Sequence, residues 1–300
     1  VNEPFVVVVI LTHNQKEYTL QCLRSFRGIE YSNVKLILVD NGSNDGTEEA
    51  VKAEFPGIYL VKSSENKGAA GGKNLGIKYA NSNFDYDYLL TIDNDTIVEK
   101  NFLRPLVEAL EAHPEAGLAS PKLHQIGQKN VICSAGGSNV NFYTGSTRSR
   151  GHGQRDYGQY DDCETPNCIP NGIVLIRPEV ILQCAGFDEA FNPYGPEDLD
   201  FAFRAKAAGF SFRFVPGSLV YHKGTKTGFY AYTPAYAAIK GRNLKLFVKR
   251  HSTACQRICF HILLPFLGVR TLIREILNGN LLAPLYFVRG FLGKNMKHGE

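Results

Sequence analysis

Over its first ninety or so residues the chain alternates short apolar runs with segments of helical spacing, and no other feature limits the possible folds as much. Val6–Leu11 is uninterrupted apolar sequence, the pattern of a strand buried on both faces. Tyr18, Cys22 and Phe26 then recur four apart, as on one face of a helix. Val34–Val39 reads as a second strand and runs into Asp40-Asn41-Gly42-Ser43-Asn44-Asp45-Gly46, a turn by composition. Thr47–Phe55 reads as a helix and Ile58–Lys62 as a third strand. A glycine-rich turn follows over Asn66-Lys67-Gly68-Ala69-Ala70-Gly71-Gly72, then a helix beginning over Lys73–Ala80 and a fourth strand, Tyr88–Ile92. Strands alternating with helices at this interval imply βαβ units, an α/β class and a mainly parallel sheet. Right-handed crossovers place several of the connecting loops on one sheet edge, and ligands of open α/β sheets bind outside the carboxyl ends of the strands.

The second half is less regular. Residues 134–168 are rich in Gly, Ser, Tyr, Asn and Arg without an apolar period, which predicts a long functional loop. Ile173–Ile176 reads as a strand, Pro178–Ala185 and Leu199–Ala208 as helices, and Phe212–Val215 and Ser218–Tyr221 as two short strands around Pro216-Gly217. From about Tyr232 the pattern is mostly helical. Phe260–Val269 is apolar but broken by Pro265, and no run reaches the length that spans a bilayer.

Charge divides the chain in the same place. Residues 236–300 hold 11 Lys/Arg and 2 Asp/Glu, a net of +9, against +4 for all 300 residues, which leaves −5 on residues 1–235. A basic helical tail on an acidic body predicts an anionic surface as partner, a membrane in preference to nucleic acid, for which no binding motif is present. A helical cap packed on the body is the structural alternative. Seven scattered cysteines without a framework suggest a reducing compartment. Cys163-x4-Cys168 and Cys255-x3-Cys259 do not make a convincing zinc set. The apolar N-terminal run lacks the basic flank and the small-residue cleavage pattern of a signal peptide. The chain starts at Val1, and a trimmed leader stays open.

Asp93-Asn94-Asp95 directly follows the fourth apolar run, so two carboxylates emerge at a strand's carboxyl end. Acids in that place suit a hard divalent cation, which in turn suits a diphosphate, although Asp and Asn also make ordinary solvated turns. Further along, Glu197-Asp198-Leu199-Asp200 opens a helix. A helix dipole accounts for one acid at that end more easily than for three, and crowded like charges raise a pKa, which suits a general base.

Leu11-Thr12-His13-Asn14, Val39-Asp40-Asn41-Gly42-Ser43, Asp93-Asn94-Asp95, Glu197-Asp198-x-Asp200 and Val220-Tyr221-His222, in this order and spacing, resemble the inverting nucleotide-sugar glycosyltransferases of family two. The likeness covers about Val6 to His222. With Ala70-Gly71-Gly72-Lys73-Asn74, Gly136-Gly137 and Gly186-Phe187-Asp188-Glu189 the chain looks most like the bacterial rhamnosyltransferase and galactofuranosyltransferase branch. The resemblance implies a GT-A fold, Rossmann-like, over residues 1–231, with a helical extension over 232–300. It implies transfer of a sugar, rhamnose first, from a dTDP- or UDP-activated donor to a glycan or lipid-linked acceptor in polysaccharide biosynthesis. Galactofuranose, another hexose or an N-acetylhexosamine stay open for the sugar.

By the same resemblance Thr12, Asn14, Asp40 and Gly42 contact the nucleoside, Asp40 through the base N3–H. Gly71 and Gly72 let the backbone approach the donor, and Lys73, where many relatives carry Arg, meets the diphosphate as a point charge. The helix after the glycines offers free N–H groups toward phosphate. Asp95 is the first metal ligand, with Asp93 on ribose or metal and His222 completing the shell; the metal is Mn²⁺ or Mg²⁺. Asp198 is the base, Glu197 orients the acceptor, and Asn171, Gly172 and Asp200 are acceptor-side candidates, with Asp200 also able to pair with Arg204. Pro196 before the acidic pair departs from the commoner pattern. The expected place is the cytoplasmic side of the membrane, peripheral on its inner face, and a homo-oligomer is possible. A sugar nucleotidyltransferase and a non-catalytic GT-A-like scaffold are the rival classes. The first lacks its Gly-rich Arg/Lys signature near the first strand, and Asp95, Asp198 and His222 argue against the second.

Overall fold

The computed structural model describes residues 3–162, 170, 172–223, 233–277 and 282–293. The chain forms two compact units. The first is Val1–Asn139, Arg148–Pro193 and Glu197–Gly224; the second is Val140–Thr147, Tyr194–Pro196 and Thr225–Glu300.

The first unit is built on a sheet whose parallel part comes from the N-terminal alternation. β1 (Val6–Thr12), α1 (Lys16–Phe26), β2 (Val34–Asp40), α2 (Thr47–Glu54), β3 (Tyr59–Lys62), α3 (Gly68–Asn83) and β4 (Tyr88–Asp93) follow in sequence. β5 (Thr96–Val98), α4 (Leu103–Ala112), β6 (Ala116–Gln125) and β7 (Ile132–Ala135) come next. β8 (Ser138–Asn141) and β9 (Ser146–Ser149) make a separate two-stranded sheet. β10 (Val174–Ile176), α5 (Pro178–Cys184), α6 (Glu197–Ala207) and β11 (Ser211–His222) complete the unit. The strand order is β3-β2-β1-β4-β10-β6-β11-β5, with β7 paired to β6.

β1 shows why its sequence is apolar throughout. Val6, Val8 and Ile10 pack on one face with Leu23 and Phe26 of α1 and Leu106 of α4. Val7 and Val9 pack on the other with Ala70 and Ile77 of α3. Each such buried side chain contributes roughly 1.5–3 kcal/mol, and with both faces covered there is no polar position to leave.

Four expectations change. β1–β4 are parallel, but β10 runs antiparallel to both β4 and β6, so the sheet is mixed beyond β4. Among the described residues no helix leads into β10 from β9, so no βαβ crossover dictates its direction. Part of the expected loop at 134–168 is strand: the end of the short buried β7, and β8 and β9, which are made mainly from polar residues without an apolar stripe. The two short strands around Pro216-Gly217 are one strand, β11, with an irregular register against β6 between Val215 and Leu219 that accommodates the pair. The helix expected from Lys73 begins at Gly68, so Gly71 and Gly72 lie in its first turns.

Those glycines let α3 sit against the sheet. At Gly76 a Cβ would stand 2.4 Å from Val9 Cγ1 and 2.8 Å from Val39 Cγ2. Overpacking of this kind costs roughly 1–3 kcal/mol, more than the about 1 kcal/mol that alanine gains in a helix. Gly76→Ala is therefore expected to lower the urea midpoint at unchanged slope; a raised midpoint would contradict the tight packing.

The second unit holds α7 (Pro234–His251), α8 (Ala254–Leu277) and α9 (Leu282–Leu292). Pro265 lies inside α8 and does not end it. Asn243 Nδ2 donates to the Tyr194 carbonyl at 2.8 Å, and Phe142 stacks on Phe247, which ties both short excursions of the unit to α7.

Candidate active site

The carboxyl ends of β1, β2 and β4 coincide, because Thr12 is in register with Asp40 and Leu11 with Asp93. Three of the predicted residues therefore leave the sheet side by side. The Asp93–Asp95 turn is held from below. Asn94 is buried and its amide donates to Thr12 Oγ1 at 3.2 Å and Thr19 Oγ1 at 3.0 Å, while Thr96 Oγ1 donates to the Asp93 carbonyl at 2.7 Å. With the middle residue turned inward, the two aspartates turn outward.

β11 ends at His222, paired in register with Thr96 of β5. Its Nε2 lies 3.2 Å from Asp95 Oδ1, and Lys223 N donates to the Asp95 carbonyl at 3.1 Å. One ligand atom each from Asp93, Asp95 and His222 fall within 4.8 Å of one another. That separation fits donors around a single ion with bonds of about 2.0–2.4 Å. Two hard oxygens and one imidazole nitrogen suit Mn²⁺ well and Mg²⁺ acceptably. Burial opposes protonation of His222, but the hydrogen bond to Asp95 wins and holds its pKa well above the usual histidine range. Burial pushes the Asp93 carboxyl up; Lys73 opposes this and the charges of Asp198 and Asp95 add to it.

The acidic pair arrives from another direction. α6 starts at Glu197, and its first turn carries Glu197, Asp198 and Asp200. Lys73 of α3 reaches across to them: its Nζ donates to Glu197 Oε1 at 3.2 Å and to Asp198 Oδ1 at shorter range. Asn74, the next residue, docks the loop before α6. Its amide donates to the Phe187 carbonyl at 2.8 Å and accepts from Phe187 N at 2.9 Å. Phe187 in turn stacks on Phe201 of α6 at 4.7 Å. One side chain fixes the loop and its neighbour meets the acids, which explains the pairing of Lys73-Asn74 with Gly186-Phe187.

The electrostatics separate the two acids. Glu197 is almost fully buried, whereas the Asp198 side chain keeps 23% of its surface. Burial pushes Glu197 up to about 7, with Lys73 opposing and Asp198 adding. Burial also opposes charge on Lys73, yet Asp198, Glu197 and Asp93 together keep its ammonium well above the usual lysine range.

Other predicted residues take different positions. Asp40 is fully buried; Oδ1 accepts from Ser43 N at 2.8 Å, and Oδ2 has no hydrogen-bond partner among the described residues. The Thr12 hydroxyl is engaged by Thr19 at 2.7 Å and by Asn94. Asn14, with φ of 52°, accepts from Asn44 N and contacts His13 Nε2, so its amide is also held by the protein. Gly42, with φ of +80°, lies against the Glu65 backbone, where a Cβ would come within 2.7 Å. Gly172 lies beside the cluster of Asp93, Asp95 and His222, its Cβ position 3.6 Å from Asp93 Oδ2. Asn171 lies outside the described residues.

Three expectations are corrected here. A Cβ at Gly72 would meet Leu11 Cδ1 at 2.4 Å, and one at Gly71 would meet Lys67 at 3.0 Å, so both glycines serve packing of α3. The N–H groups at the start of α3 are not open to phosphate: Ala69 N donates to Pro193 O at 2.8 Å and Ala70 N to Asn192 Oδ1 at 3.2 Å. Asp200 is wholly buried; it accepts from Arg204 Nε at 2.7 Å, and Arg204 also donates to the Gly186 carbonyl. That carboxylate braces α6 and faces no acceptor. Asn94, Asn74 and Asn192 are the residues sequence reasoning missed. An isolated Asn carries no signal, and their partners lie far away in sequence.

The family model for glycosyl transferase family 2 matches residues 7–168, and that for glycosyl transferase family group 2 matches residues 88–250. The first covers more than half of the chain, and the chain belongs to glycosyl transferase family 2. Among similar proteins, glycosyltransferase GlyG of Streptococcus pneumoniae serotype 4 is 32% identical over 109 residues, 35% of this chain and 35% of that protein. The poly-beta-1,6-N-acetyl-D-glucosamine synthase of Staphylococcus aureus (strain COL) is 28% identical over 114 residues, 37% of this chain and 27% of that protein. The matches thus span about a third of these relatives or less. Among solved structures, the mannosyltransferase PcManGT from Pyrobaculum calidifontis, in complex with GDP-Man and Mn²⁺, superposes with a TM-score of 0.58 at 16% identity, covering 99% of this chain and 77% of that one. S. aureus TarS 1-349 gives 0.58 at 14% identity, covering 96% and 81%. At these identities the likeness carries the fold, which is GT-A.

Proposed function

We propose that the chain is a metal-dependent inverting glycosyltransferase that moves one sugar from a dTDP- or UDP-activated donor to a glycan or lipid-linked acceptor. The observation that carries this is the cluster of Asp93, Asp95 and His222 on the same sheet edge as Asp40, with Asp198 close enough to Asp93 to raise its pKa. Asp40 Oδ2, buried and without a partner among the described residues, is an acceptor suited to the N3–H of uracil or thymine. Thr12, Asn14 and Gly42 frame that end of the site, Thr12 and Asn14 through the loops they hold.

Asp93, Asp95 and His222 would hold Mn²⁺ or Mg²⁺; when bound, the ion supplies charge neutralisation for the departing nucleoside diphosphate. Asp198, the more exposed acid, takes the acceptor hydroxyl proton. The acceptor oxygen bonds to the anomeric carbon as the bond to the diphosphate oxygen breaks, and the electron pair leaves with the diphosphate. Attack from the opposite side inverts the anomeric centre. Glu197, assigned on resemblance to orient the acceptor, also positions Lys73 through its 3.2 Å hydrogen bond. Gly172, beside Asp93, marks the acceptor side, and Asn171 is assigned to the same side on resemblance alone. Rhamnose is the first sugar to test, then galactofuranose, other hexoses and N-acetylhexosamines. A thermal-shift screen of nucleotide sugars with Mn²⁺ and Mg²⁺ tests the donor: stabilisation by a dTDP- or UDP-sugar only with metal is expected, and none by any donor would refute it.

The second unit supports a peripheral place on an anionic membrane, on its cytoplasmic face. No described helix is long and apolar enough to cross a membrane. α8 exposes Ile258, Ile262, Phe266 and Val269 along one face, and α9 exposes Leu282, Leu285, Val288 and Leu292. On α7, Arg242, Lys245 and Lys249 are exposed at helical spacing. Apolar stripes with basic neighbours and few acids are the composition of helices that lie in the lipid interface. The protein is expected to float with anionic vesicles at low salt, and Ile262→Glu with Phe266→Glu to remain in solution. Indifference of the unaltered protein to anionic vesicles would leave the stripes to a homo-oligomer contact or a packed cap.

A further inference from the structure

Lys73 stands between two sets of anions that the reaction uses at different moments. Its ammonium donates to Asp198 and Glu197, lies 5.1 Å from the centre of the Phe187 ring, and is nearly excluded from water, the residue being 4% exposed. Asp93, on the metal side, is the third carboxylate that acts on it. The resemblance put this lysine on the donor diphosphate, and the structure has it on the proposed base. Both placements are compatible if the side chain serves them in turn. An ammonium on a four-carbon stem has three rotatable donors and no fixed fork, so it can turn from one anion to another. While Lys73 donates to Asp198, an oxygen of that carboxylate is engaged and less able to take a proton.

Resting on the donor reading above, we propose that Lys73 is a donor-operated latch on the base. Without donor it holds Asp198. When a nucleoside diphosphate enters beside Asp93 and Asp95, Lys73 turns to the phosphate oxygens, and Asp198 is released to the acceptor hydroxyl. The base then becomes available only when a sugar is in place to be transferred, and donor must bind before acceptor is activated.

The latch has a consequence that a fixed phosphate ligand would not have. Part of the donor's affinity goes into separating Lys73 from Asp198, so weakening that pair should tighten nucleotide binding while it removes the base. The test is calorimetry of UDP and dTDP binding, each with Mn²⁺, to the full chain and to Asp198→Asn, Lys73→Met and the double variant. Asp198→Asn is expected to bind the diphosphate on the order of 10-fold more tightly, the scale of one hydrogen bond between charged groups. Lys73→Met should bind more weakly, and the double variant no more tightly than Lys73→Met. An unchanged or weakened affinity in Asp198→Asn overturns the latch, whatever the other variants do. So does a gain of equal size in the Lys73→Met background, which would mean simple relief of repulsion between Asp198 and the diphosphate. Lys73→Gln replaces Lys73→Met if that chain does not fold. If neither nucleotide binds the unaltered protein, the donor reading fails and the latch falls with it; if they bind and the gain is missing, the latch alone fails.

Discussion

Asp95→Ala should remove metal-dependent nucleotide binding altogether and reduce sugar transfer to background. Asp95 is one of three side chains whose ligand atoms converge within 4.8 Å, and it holds His222 through a 3.2 Å hydrogen bond. Its loss takes away one donor and unties a second, and three protein ligands cannot be reduced to one without losing the ion. Without a cation, two phosphate charges would face Asp93 in a site where burial already resists negative charge. Calorimetry with UDP or dTDP, with and without Mn²⁺, measures this directly. Equal nucleotide affinity in the two conditions for the unaltered protein would show that Asp93, Asp95 and His222 do not assemble a metal site.

The second large effect is on the proposed base. Asp198→Asn keeps the shape of the side chain and cannot accept a proton, so turnover should fall on the order of 10²-fold or more. Glu197→Gln should be milder in turnover. Glu197 is buried against Lys73 and pushed up to about 7, so near neutral pH it already spends part of its time uncharged. The sign of its contribution to stability follows. A carboxyl whose folded pKa is raised favours the folded state most below its ordinary value, and that contribution is lost as pH rises through about 7. Glu197→Gln should therefore flatten this part of the stability profile between about pH 4.5 and 7. An active Asp198→Asn beside a dead Glu197→Gln would reverse the assignment of the two acids.

How far the sequence led depends on how local each determinant is. Val6–Leu11 was legible because its strand is buried on both faces, which leaves an unbroken apolar run; Val34–Val39 and Tyr88–Ile92 are each broken by one residue, the exposed Lys35 and the buried Thr91, and stayed legible. Asp93-Asn94-Asp95 was legible because it follows such a run, and so lands at the carboxyl edge of the sheet once the strands are parallel. What the sequence concealed depends on pairing across distance. The antiparallel entry of β10 is decided by neighbours in the sheet, and three apolar residues carry no direction. β8 and β9 are polar and β7 is only four residues long, and nothing in their spacing separates them from loop. Lys73 meets Glu197 and Asp198 from 124 and 125 positions away, and Asn192 satisfies the start of α3 from 122. For that reason the helix end read as a phosphate site was already occupied, and the lysine assigned to phosphate stood on Asp198, the proposed base.

The central proposal is that this chain transfers a sugar from a nucleotide donor with the help of a metal held by Asp93, Asp95 and His222. The direct measurement is mass spectrometry of reactions containing the full chain, a panel of dTDP- and UDP-sugars, a mixture of glycan and lipid-linked acceptors, and Mn²⁺ or Mg²⁺. The account predicts an acceptor heavier by one glycosyl unit together with free nucleoside diphosphate, present with metal, absent with chelator and absent in Asp198→Asn. Transfer that continues unchanged in chelator, or with Asp95 and His222 both replaced by alanine, would contradict it.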